Sequence, residues 1–584
     1  MAESIISPGV FTRENDISFI QPAPTEAGAA IIGPAVKGPV EVPTMVTSYG
    51  DYVRTFGTTF ASGSNSYEFL TSLAVQNYFQ QGGNSVLVTR VVSASSNWTS
   101  ATTTHVSASE KLSVEPFELQ TIGKGAIFNN STGELDPGAE NSDGSLVSGS
   151  ADNLRWEVSN VSENKGTFTL SIRRGDDNLN NKVVLETFND LSLDPNSGNF
   201  IERVIGNQTK SFNSADGGYI QTTGEYVNRS KYVRVSAVNL PTINYLANDG
   251  VTVNEDSTGT SYSASLPITE SGSFYNAVGS LLHGTQANHF FDDIDTDNTQ
   301  GLEATDYDNA ITILGNSEEY QFNIITAPGL LKADHGTQVD SIISLAETRG
   351  DCIAVVDLEG HGTTVSNVVD DAAVLNSSYA ATYWPWLQMQ SATGRNEWVP
   401  ASVAIPGVYA FTDNSSAPWF APAGLVRGGI AGVIQAERKL TRTQRDTLYN
   451  AKVNPIASFP GQGISVFGQK TLQTKASALD RVNVRRLLIE LKKFIGDQAR
   501  NLVFEQNTIA TRNRFLAAVN PYLESVVQRQ GLFAYRVVMD DSNNTADVVD
   551  RNQLIGQIFI QPAKTAEFVV LDFTVEPTGA TFVG

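Results

Sequence analysis

Asp357, Glu359 and His361 are the residues whose types and spacing come nearest to those of an active site. They follow an apolar run, and the carboxyl ends of strands in α/β folds often carry catalytic groups. However, the chain has only five histidines, no histidine pair has metal-ligand spacing, and no Gly-x-Ser-x-Gly elbow supplies a nucleophile. We therefore expect an ordinary loop here and no catalytic residues, with a hydrolase as the alternative.

The stretch at 33–38 has the glycine spacing of a phosphate-binding loop. Pro39 and Val40 stand where such a loop needs lysine and serine or threonine, so nothing would reach the phosphates. The proline also removes a backbone N–H donor. The sequence therefore predicts a structural turn and no nucleotide cofactor.

Asp293, Asp295 and Asp297 alternate like the opening of a calcium-binding loop. Asn298 occupies the position of the obligatory glycine, and Ala304 stands where the last ligand should be glutamate. We therefore expect a solvated acidic loop and no specific metal site.

The overall composition is that of a folded, multidomain protein of 584 residues, with 40% hydrophobic and 17% charged residues. A net charge of −23 argues against a chain that binds nucleic acid directly. The single cysteine, Cys352, lies beside an apolar run and is expected to be buried and inert. No signal peptide and no run of about 18 apolar residues is visible, so we expect synthesis in the cytoplasm without membrane insertion.

Charge is distributed unevenly along the chain. Residues 94–315 hold 12 Lys/Arg and 29 Asp/Glu, a net of −17, and are rich in Ser, Thr, Asn and Gly. Short alternating runs such as 167–172 recur there, which indicates β-rich, solvent-facing inserted domains. Residues 425–564 hold 20 Lys/Arg and 11 Asp/Glu, a net of +9.

The elements around this insertion favour a multidomain α/β (α+β) fold. A strand at 29–34, a helix at 67–78 and a strand at 85–92 predict a parallel crossover unit. Towards the C-terminus we predict helices near 427–438, 441–451, 480–505 and 508–528, followed by strands near 532–540 and 555–575. The predicted divisions are an N-terminal arm (1–20), the first part of the core (21–93), the insertion (94–315), an α/β domain (316–424), a C-terminal domain (425–564) and a terminal strand and arm (565–584).

The helix at 480–505 carries much of the positive charge. Asp480 is its predicted N-cap, and its apolar residues share one face: Val484, Leu487, Leu488, Leu491, Phe494, Ile495 and Leu502. Arg486, Lys493 and Arg500 lie seven residues apart on the opposite face, with Arg485 and Lys492 beside them. Such a stripe suits docking on an acidic partner; an ordinary solvated face is the alternative.

Many short motifs resemble those of one known family, the contractile tail sheath proteins, especially those of T4-like phages. The resemblance covers about the first 90 and the last 190 residues. Its densest marks are Glu397-Trp398-Val399-Pro400, Ala421-Pro422-Ala423-Gly424, Val453-Asn454-Pro455, Phe467-Gly468-Gln469-Lys470, Asp480-Arg481-Val482-Asn483, Tyr535-Arg536-Val537-Val538 and Ile560-Gln561-Pro562-Ala563.

This resemblance implies a structural subunit that stacks in rings of six around a tail tube and contracts to drive the tube through the host envelope. It implies a tail location in the virion, assembly in the host cytoplasm, and the tube, baseplate and tail-terminator proteins as partners. The basic stripe would face the tube, and the acidic insertion would project outward. A phage-derived injection particle of the bacteriocin type is the nearest alternative.

The resemblance also implies that terminal arms connect neighbouring copies. Extended arms can add strands to exposed sheet edges, which supplies directional main-chain hydrogen bonds. The residues expected to make these contacts are Ser7, Pro8, Gly9, Val10 and Phe11 in the N-terminal arm, and Phe568, Val570, Phe573 and Val575 at the C-terminus.

Overall fold

A computed structural model describes residues 27–62, 65–104, 106–109, 114–131, 140–281 and 294–567. Within these ranges the chain forms 24 β-strands and twelve α-helices. The helices are α1 (Tyr49–Phe56), α2 (Leu70–Gln80), α3 (Ile201–Ile205), α4 (Asp308–Ile313), α5 (Gly336–Arg349), α6 (Val365–Ala373), α7 (Ile405–Ser415), α8 (Gly424–Arg427), α9 (Arg442–Asn450), α10 (Val482–Arg500), α11 (Ile509–Gln528) and α12 (Ala546–Asp550).

An eight-stranded sheet forms the centre of the molecule. In spatial order its strands are β2 (Thr44–Val46), β5 (Val86–Val91), β1 (Ala27–Pro34), β15 (Phe322–Leu331), β16 (Ile353–Asp357), β17 (Ala380–Trp384), β21 (Asn454–Phe459) and β22 (Gly463–Val466). The six strands from β5 to β21 pair in parallel, and the two edge strands are antiparallel. The pairing of β1 with β5 across α2 confirms the predicted parallel crossover unit.

Both faces of this sheet are covered by helices. Consecutive residues of β1 alternate between two hydrophobic cores: Ala30 and Ile32 point to one, Ala29 and Ile31 to the other. The first core includes residues of α4, α5 and α6, and the second includes residues of α2 and α7. Because both faces are buried, these strands read as continuous apolar runs. The predicted mixed α/β fold is confirmed.

The acidic region contributes a second, seven-stranded sheet with its own core. In spatial order its strands are β10 (Val184–Ser192), β9 (Thr167–Arg174), β8 (Leu154–Ser162), β14 (Glu270–Tyr275), β6 (Ser100–Thr103), β7 (Phe117–Lys124) and β13 (Val233–Val238). All its pairings are antiparallel. The rings of Phe117 and Phe168 stack in its core at a centroid distance of 5.5 Å.

Arg90 fixes this second sheet to the central one. Its guanidinium is fully buried and donates to the carbonyls of Ala35 (3.0 Å), Gly38 (2.7 Å) and Lys124 (3.0 Å). It also lies 4.8 Å from the ring of Trp98, and burial lowers the pKa of Arg90 to about 9. The turn that resembled a phosphate loop therefore offers carbonyls to an internal arginine, as expected of a structural turn.

The remaining strands form small sheets. These are β3 (Thr59–Ser62) with β4 (Asn65–Glu68), β11 (Thr209–Asn213) with β12 (Tyr219–Thr223), β18 (Leu387–Gln390) between β19 (Asn396–Val399) and β20 (Val433–Ala436), and β23 (Leu532–Val538) with β24 (Gln557–Pro562). The sheet of β23 and β24 packs with α10 and α11 around a separate C-terminal core.

Two details of the C-terminal prediction were wrong. The helix predicted at 427–438 is instead the end of the short α8 and then strand β20, because Gly428, Gly429 and Gly432 interrupt it. Asp480 is not the N-cap of α10: it ends a 3₁₀ turn, and the cap position is Arg481. The helices predicted near 441–451, 480–505 and 508–528 are confirmed as α9, α10 and α11.

Candidate functional site

The three candidate catalytic residues, Asp357, Glu359 and His361, each make different contacts within the protein. The buried Asp357 carboxylate accepts hydrogen bonds from the backbone N–H (3.1 Å) and the hydroxyl of Ser402. Burial raises the pKa of Asp357 to about 7. The centroids of the His361 and Trp398 rings lie 4.8 Å apart. Burial and the neighbouring Asp371 carboxylate raise the pKa of Glu359. This geometry favours structural roles for all three residues.

The acidic loop that begins at Asp293 and the single cysteine are the other candidate sites from the sequence. Asp295 accepts a bond from the backbone N–H of Asp297 (2.9 Å), whereas Asp293 lies outside the described residues. Among the described residues, no group of three or more His, Cys, Asp or Glu side chains could hold a metal ion. Cys352 is buried, as predicted, and burial raises its pKa. No described helix is both long enough and apolar enough to cross a membrane.

The first half of α10 is enclosed by the protein, which corrects part of the predicted basic stripe. Arg485 and Arg486 are each only 4% exposed. Arg485 stacks over the ring of Tyr379 at 3.9 Å and donates to the carbonyl of Ser378 at 3.1 Å. Arg486 donates to the Asp413 carboxylate at 2.7 Å and lies 4.6 Å from the ring centroid of Tyr409. Both side chains are therefore committed within the subunit and do not form an exposed surface.

This burial arises because α10 connects two cores. Val482 and Ile489 pack into one core of the central sheet, whereas Leu487 and Leu491 pack into the C-terminal core. Apolar residues thus point to both sides of the first turns of the helix, and little of its circumference is left for solvent.

Lys492 and Arg500 are exposed in the second half of the helix, whereas Lys493 is half-buried and its ammonium nitrogen is buried. They line a cleft of about 240 Å³ together with Arg349 and Asp497. The Lys492 ammonium donates to the Tyr379 hydroxyl at 2.9 Å, and Arg500 lies 3.6 Å from Asp497. Two of the five predicted basic residues, Lys492 and Arg500, thus form an exposed cationic surface, and Lys493 contributes to the cleft wall.

The C-terminal sheet has two strands, β23 and β24, in the part of the chain that the structure describes. Within the described residues, β23 and β24 are each other's only strand neighbours, so each leaves one edge unpaired. One face, including Tyr535 and Ile560, packs on the C-terminal core. On the sheet surface Phe533 is 71% exposed and Phe559 56% exposed. A two-stranded sheet with free edges and exposed aromatic rings is marginal alone and can accept further strands.

A groove of about 1020 Å³ lies beside the start of β23. Its apolar wall includes Phe420, Phe467 and Phe533, and its rim includes cations. Arg427 lies 5.0 Å from the ring of Phe420, and Arg445 lies 5.8 Å from the ring of Phe467. Aromatic and arginine side chains of this kind are enriched where proteins bind partners.

Glu567, the last described residue, is locked to the body at one end of this groove. Its carboxylate accepts from Arg481 Nε (2.7 Å), Arg481 Nη2 (3.0 Å), Gln469 Nε2 (3.0 Å) and the Tyr449 hydroxyl (2.9 Å). Burial alone would raise the pKa of Glu567, but these hydrogen bonds outweigh it and hold the pKa below its ordinary value. The point where residues 568–584 begin is therefore fixed.

Sequence reasoning missed this Glu567 lock. Its partners lie 86 to 118 residues away along the chain, and no local spacing connects them. All nine predicted arm residues, Ser7, Pro8, Gly9, Val10, Phe11, Phe568, Val570, Phe573 and Val575, lie outside the described residues.

Family models match the half of the chain that contains these surfaces. The phage tail sheath protein central domain matches residues 300–472, and the phage tail sheath C-terminal domain matches residues 474–576. Residues 300–472 and 474–576 are therefore similar to the two domains of phage tail sheath proteins. The cationic cleft of α10 and the open-edged sheet lie largely in the C-terminal family domain. The insertion sheet precedes both matched domains.

Curated relatives confirm the resemblance to contractile sheath proteins of T4-like phages. The tail sheath protein of Vibrio phage KVP40 is 35% identical over 285 residues, which are 47% of this chain and 42% of the relative. The tail sheath protein of Enterobacteria phage T4 is 34% identical over 259 residues, 41% of this chain and 39% of the relative. The chain thus matches about two-fifths of the length of these sheath proteins.

A crystal structure extends the likeness of fold. The sheath tail protein of Listeria innocua superimposes with a TM-score of 0.50 over 92% of this chain and 96% of that one, at 10% identity. The arrangement of sheets is therefore shared even where the sequences differ.

The burial of Arg486 generates a stability prediction. Replacing Arg486 with glutamine should lower the free energy of unfolding by about 2 to 3 kcal/mol, because the Asp413 carboxylate loses its cation. Urea denaturation of the subunit measures this change. Arg500→Gln is the matched control, since its exposed pair with Asp497 should contribute at most about 0.5 kcal/mol. Equal stability of the two variants would contradict the assignment.

The Glu567 lock generates a second prediction. Glu567→Gln should speed tryptic cleavage after Lys564 at pH 8 by about tenfold, because the segment loses its charged anchor. A carboxyl whose folded pKa is depressed stabilises above its ordinary pKa and stops doing so as the pH falls through the folded value. The lock is therefore complete at pH 8. Glu505→Gln, on an exposed carboxylate 3.5 Å from Arg514, should leave the rate unchanged. Equal cleavage rates for the two variants would show that the Glu567 contacts do not hold this segment in place.

Proposed function

We propose that this chain is the structural subunit of a contractile phage tail sheath, stacked in rings of six around a tail tube. The observation that carries the proposal is the open-edged sheet of β23 and β24 within a sheath-family domain. A subunit that worked alone would gain nothing from two free strand edges and the exposed rings of Phe533 and Phe559. A subunit that polymerises needs such edges, because strand addition connects neighbours in a fixed register.

The strands that complete this sheet are the terminal arms of other copies. Each main-chain hydrogen bond contributes about 1 kcal/mol net, so a few bonds per arm, with apolar burial, hold neighbours together. The Glu567 lock fixes the point on the body at which the C-terminal arm would begin. Residues 1–26, with four acidic and one basic residue among isoleucines and phenylalanines, match the apolar groove and its rim of arginines.

Contraction moves rigid subunits while the arms act as hinges. The subunit is stiff because β1 contributes to both cores of the central sheet and α10 joins one of these cores to the C-terminal core. Energy is stored during assembly, so no nucleotide is required. The movement drives the tail tube through the host envelope.

Contacts with the tube come from the exposed half of α10. Lys492 and Arg500 supply weak ionic contacts of about 0.2 to 1 kcal/mol each, which position the subunit and release during contraction. Arg485 and Arg486 support this surface from inside. Besides its own copies and the tube, the subunit meets baseplate and tail-terminator proteins in a virion tail assembled in the host cytoplasm.

Deleting residues 1–19 should give a folded, soluble subunit that does not polymerise. The deletion leaves the described cores intact but removes a strand that a neighbour requires. Sedimentation and circular dichroism of the purified chain measure assembly and folding separately. Ordered sheath from the truncated chain would contradict the arm mechanism.

Neutralising Lys492 and Arg500 together should weaken assembly on tail tubes while leaving the subunit folded and able to polymerise without them. The reason is that these cations face the tube and not the neighbouring copy. Co-sedimentation with purified tubes measures the loss. The control neutralises two exposed cations elsewhere in the same domain: Lys475 and Arg551. Full tube binding by the first variant would refute tube contact through this cleft.

A further inference from the structure

A second large cleft lies where the insertion sheet meets the central sheet. This junction cleft has a volume of about 890 Å³. Residues 39–45 and part of α1 form its core-side wall, and parts of β6, β7, β11 and β13 form the other. Arg90 joins the two walls, because it binds carbonyls on both sides and packs against Trp98, which also lines the cleft. The cleft is therefore preformed.

The charge of the junction cleft is opposite to that of its surroundings. Lys124, Lys210, Lys231 and Arg234 line it, and Asp51 is the one carboxylate among its described lining residues. These four are a third of the Lys/Arg residues in 94–315, a region with a net charge of −17. If the charged residues of this region were spread evenly over its surface, a cleft of this size would be acidic.

Few ion pairs neutralise these cations: among the described residues only Lys231 has one, although Glu41 acts on Lys124 and Glu118 on Arg234 from nearby. Asp51 lies 3.7 Å from Lys231 Nζ and 3.0 Å from Arg54 Nη2, so it is shared. Arg234 donates to neutral acceptors, the side chain of Gln120 and the carbonyl of Asn207. No ion pair joins Lys124 or Lys210 to any carboxylate in the described part of the chain. Burial also lowers the pKa of Lys124, which a bound carboxylate would reverse.

We propose that the junction cleft binds a carboxylate-bearing segment of a second copy of this chain. The inference rests on the proposed polymer. Every copy carries a net charge of −23, so packing copies together brings like charges close. Contacts between identical subunits of this charge are favoured where a cationic patch on one meets an acidic patch on the next. The junction cleft is a preformed cationic patch within the acidic region.

Zero-length cross-linking tests the proposal on the unmodified chain. Full-length subunits labelled with ¹⁵N are mixed equally with unlabelled subunits, polymerised and treated with a carbodiimide. We expect Lys124, Lys210 or Lys231 joined to Asp or Glu peptides in mixed-isotope pairs, which arise only between copies. Links confined to single copies would overturn the proposal.

A charge reversal gives an independent readout. Lys210→Glu should raise the critical concentration for polymerisation at low salt by about tenfold, with the difference shrinking at high salt. Lys165→Glu is the matched control, because Lys165 is also exposed, lies in the same region and has no ion pair to a described residue. If both variants polymerise like the parent chain, the junction cleft is not an interface and the proposed function stands. If the parent chain itself never polymerises, both proposals fail.

Discussion

Parallel pairing of β1 with β15 is the constraint on which the rest of the molecule depends. It joins the first described strand to one that begins only at Phe322, with β5 hydrogen-bonded on the other side of β1. The chain can close this sheet only if the intervening insertion leaves and returns near the same place. The insertion then builds its own seven-stranded sheet without interrupting the central one. Helix α10 in turn packs on the completed sheet and carries the C-terminal core.

Buried arginines hold these layers together without matching carboxylates in every case. Arg90 uses backbone carbonyls and an indole ring, Arg485 uses a carbonyl and a phenol ring, and Arg486 uses the Asp413 carboxylate. Guanidinium suits this role because its planar donors satisfy several acceptors at once and its faces stack on aromatic rings. The ties keep the subunit stiff, which suits the rigid-body movement that we propose for it.

Local patterns predicted the elements well. The apolar runs at 29–34 and 85–92, the amphipathic helices near 480–505 and 508–528 and the polar, alternating insertion all appear as expected. These features depend on the periodicity of apolar residues along the chain, which can be read directly from the sequence. The helix predicted at 427–438 failed because three glycines outweighed a weak pattern.

The surfaces were harder to predict than the elements. Periodicity separates the faces of α10, but it cannot say that two different cores enclose its first turns and bury Arg485 and Arg486. The Glu567 lock and the junction cleft bring together residues that are far apart in the sequence. No local spacing of residues therefore predicts either one. The predicted division of the chain into domains, the contacts of the arms and the tube contact remain predictions.

The central claim is that other copies complete the sheet of β23 and β24. Cryo-electron microscopy of polymers formed by the full-length chain tests it most directly. We predict hollow helical tubes with six subunits per ring, in which residues from the arms of two other copies pair with the outer edges of β23 and β24. Polymers in which both edges stay unpaired, or a chain that stays monomeric with and without tail tubes, would contradict the account.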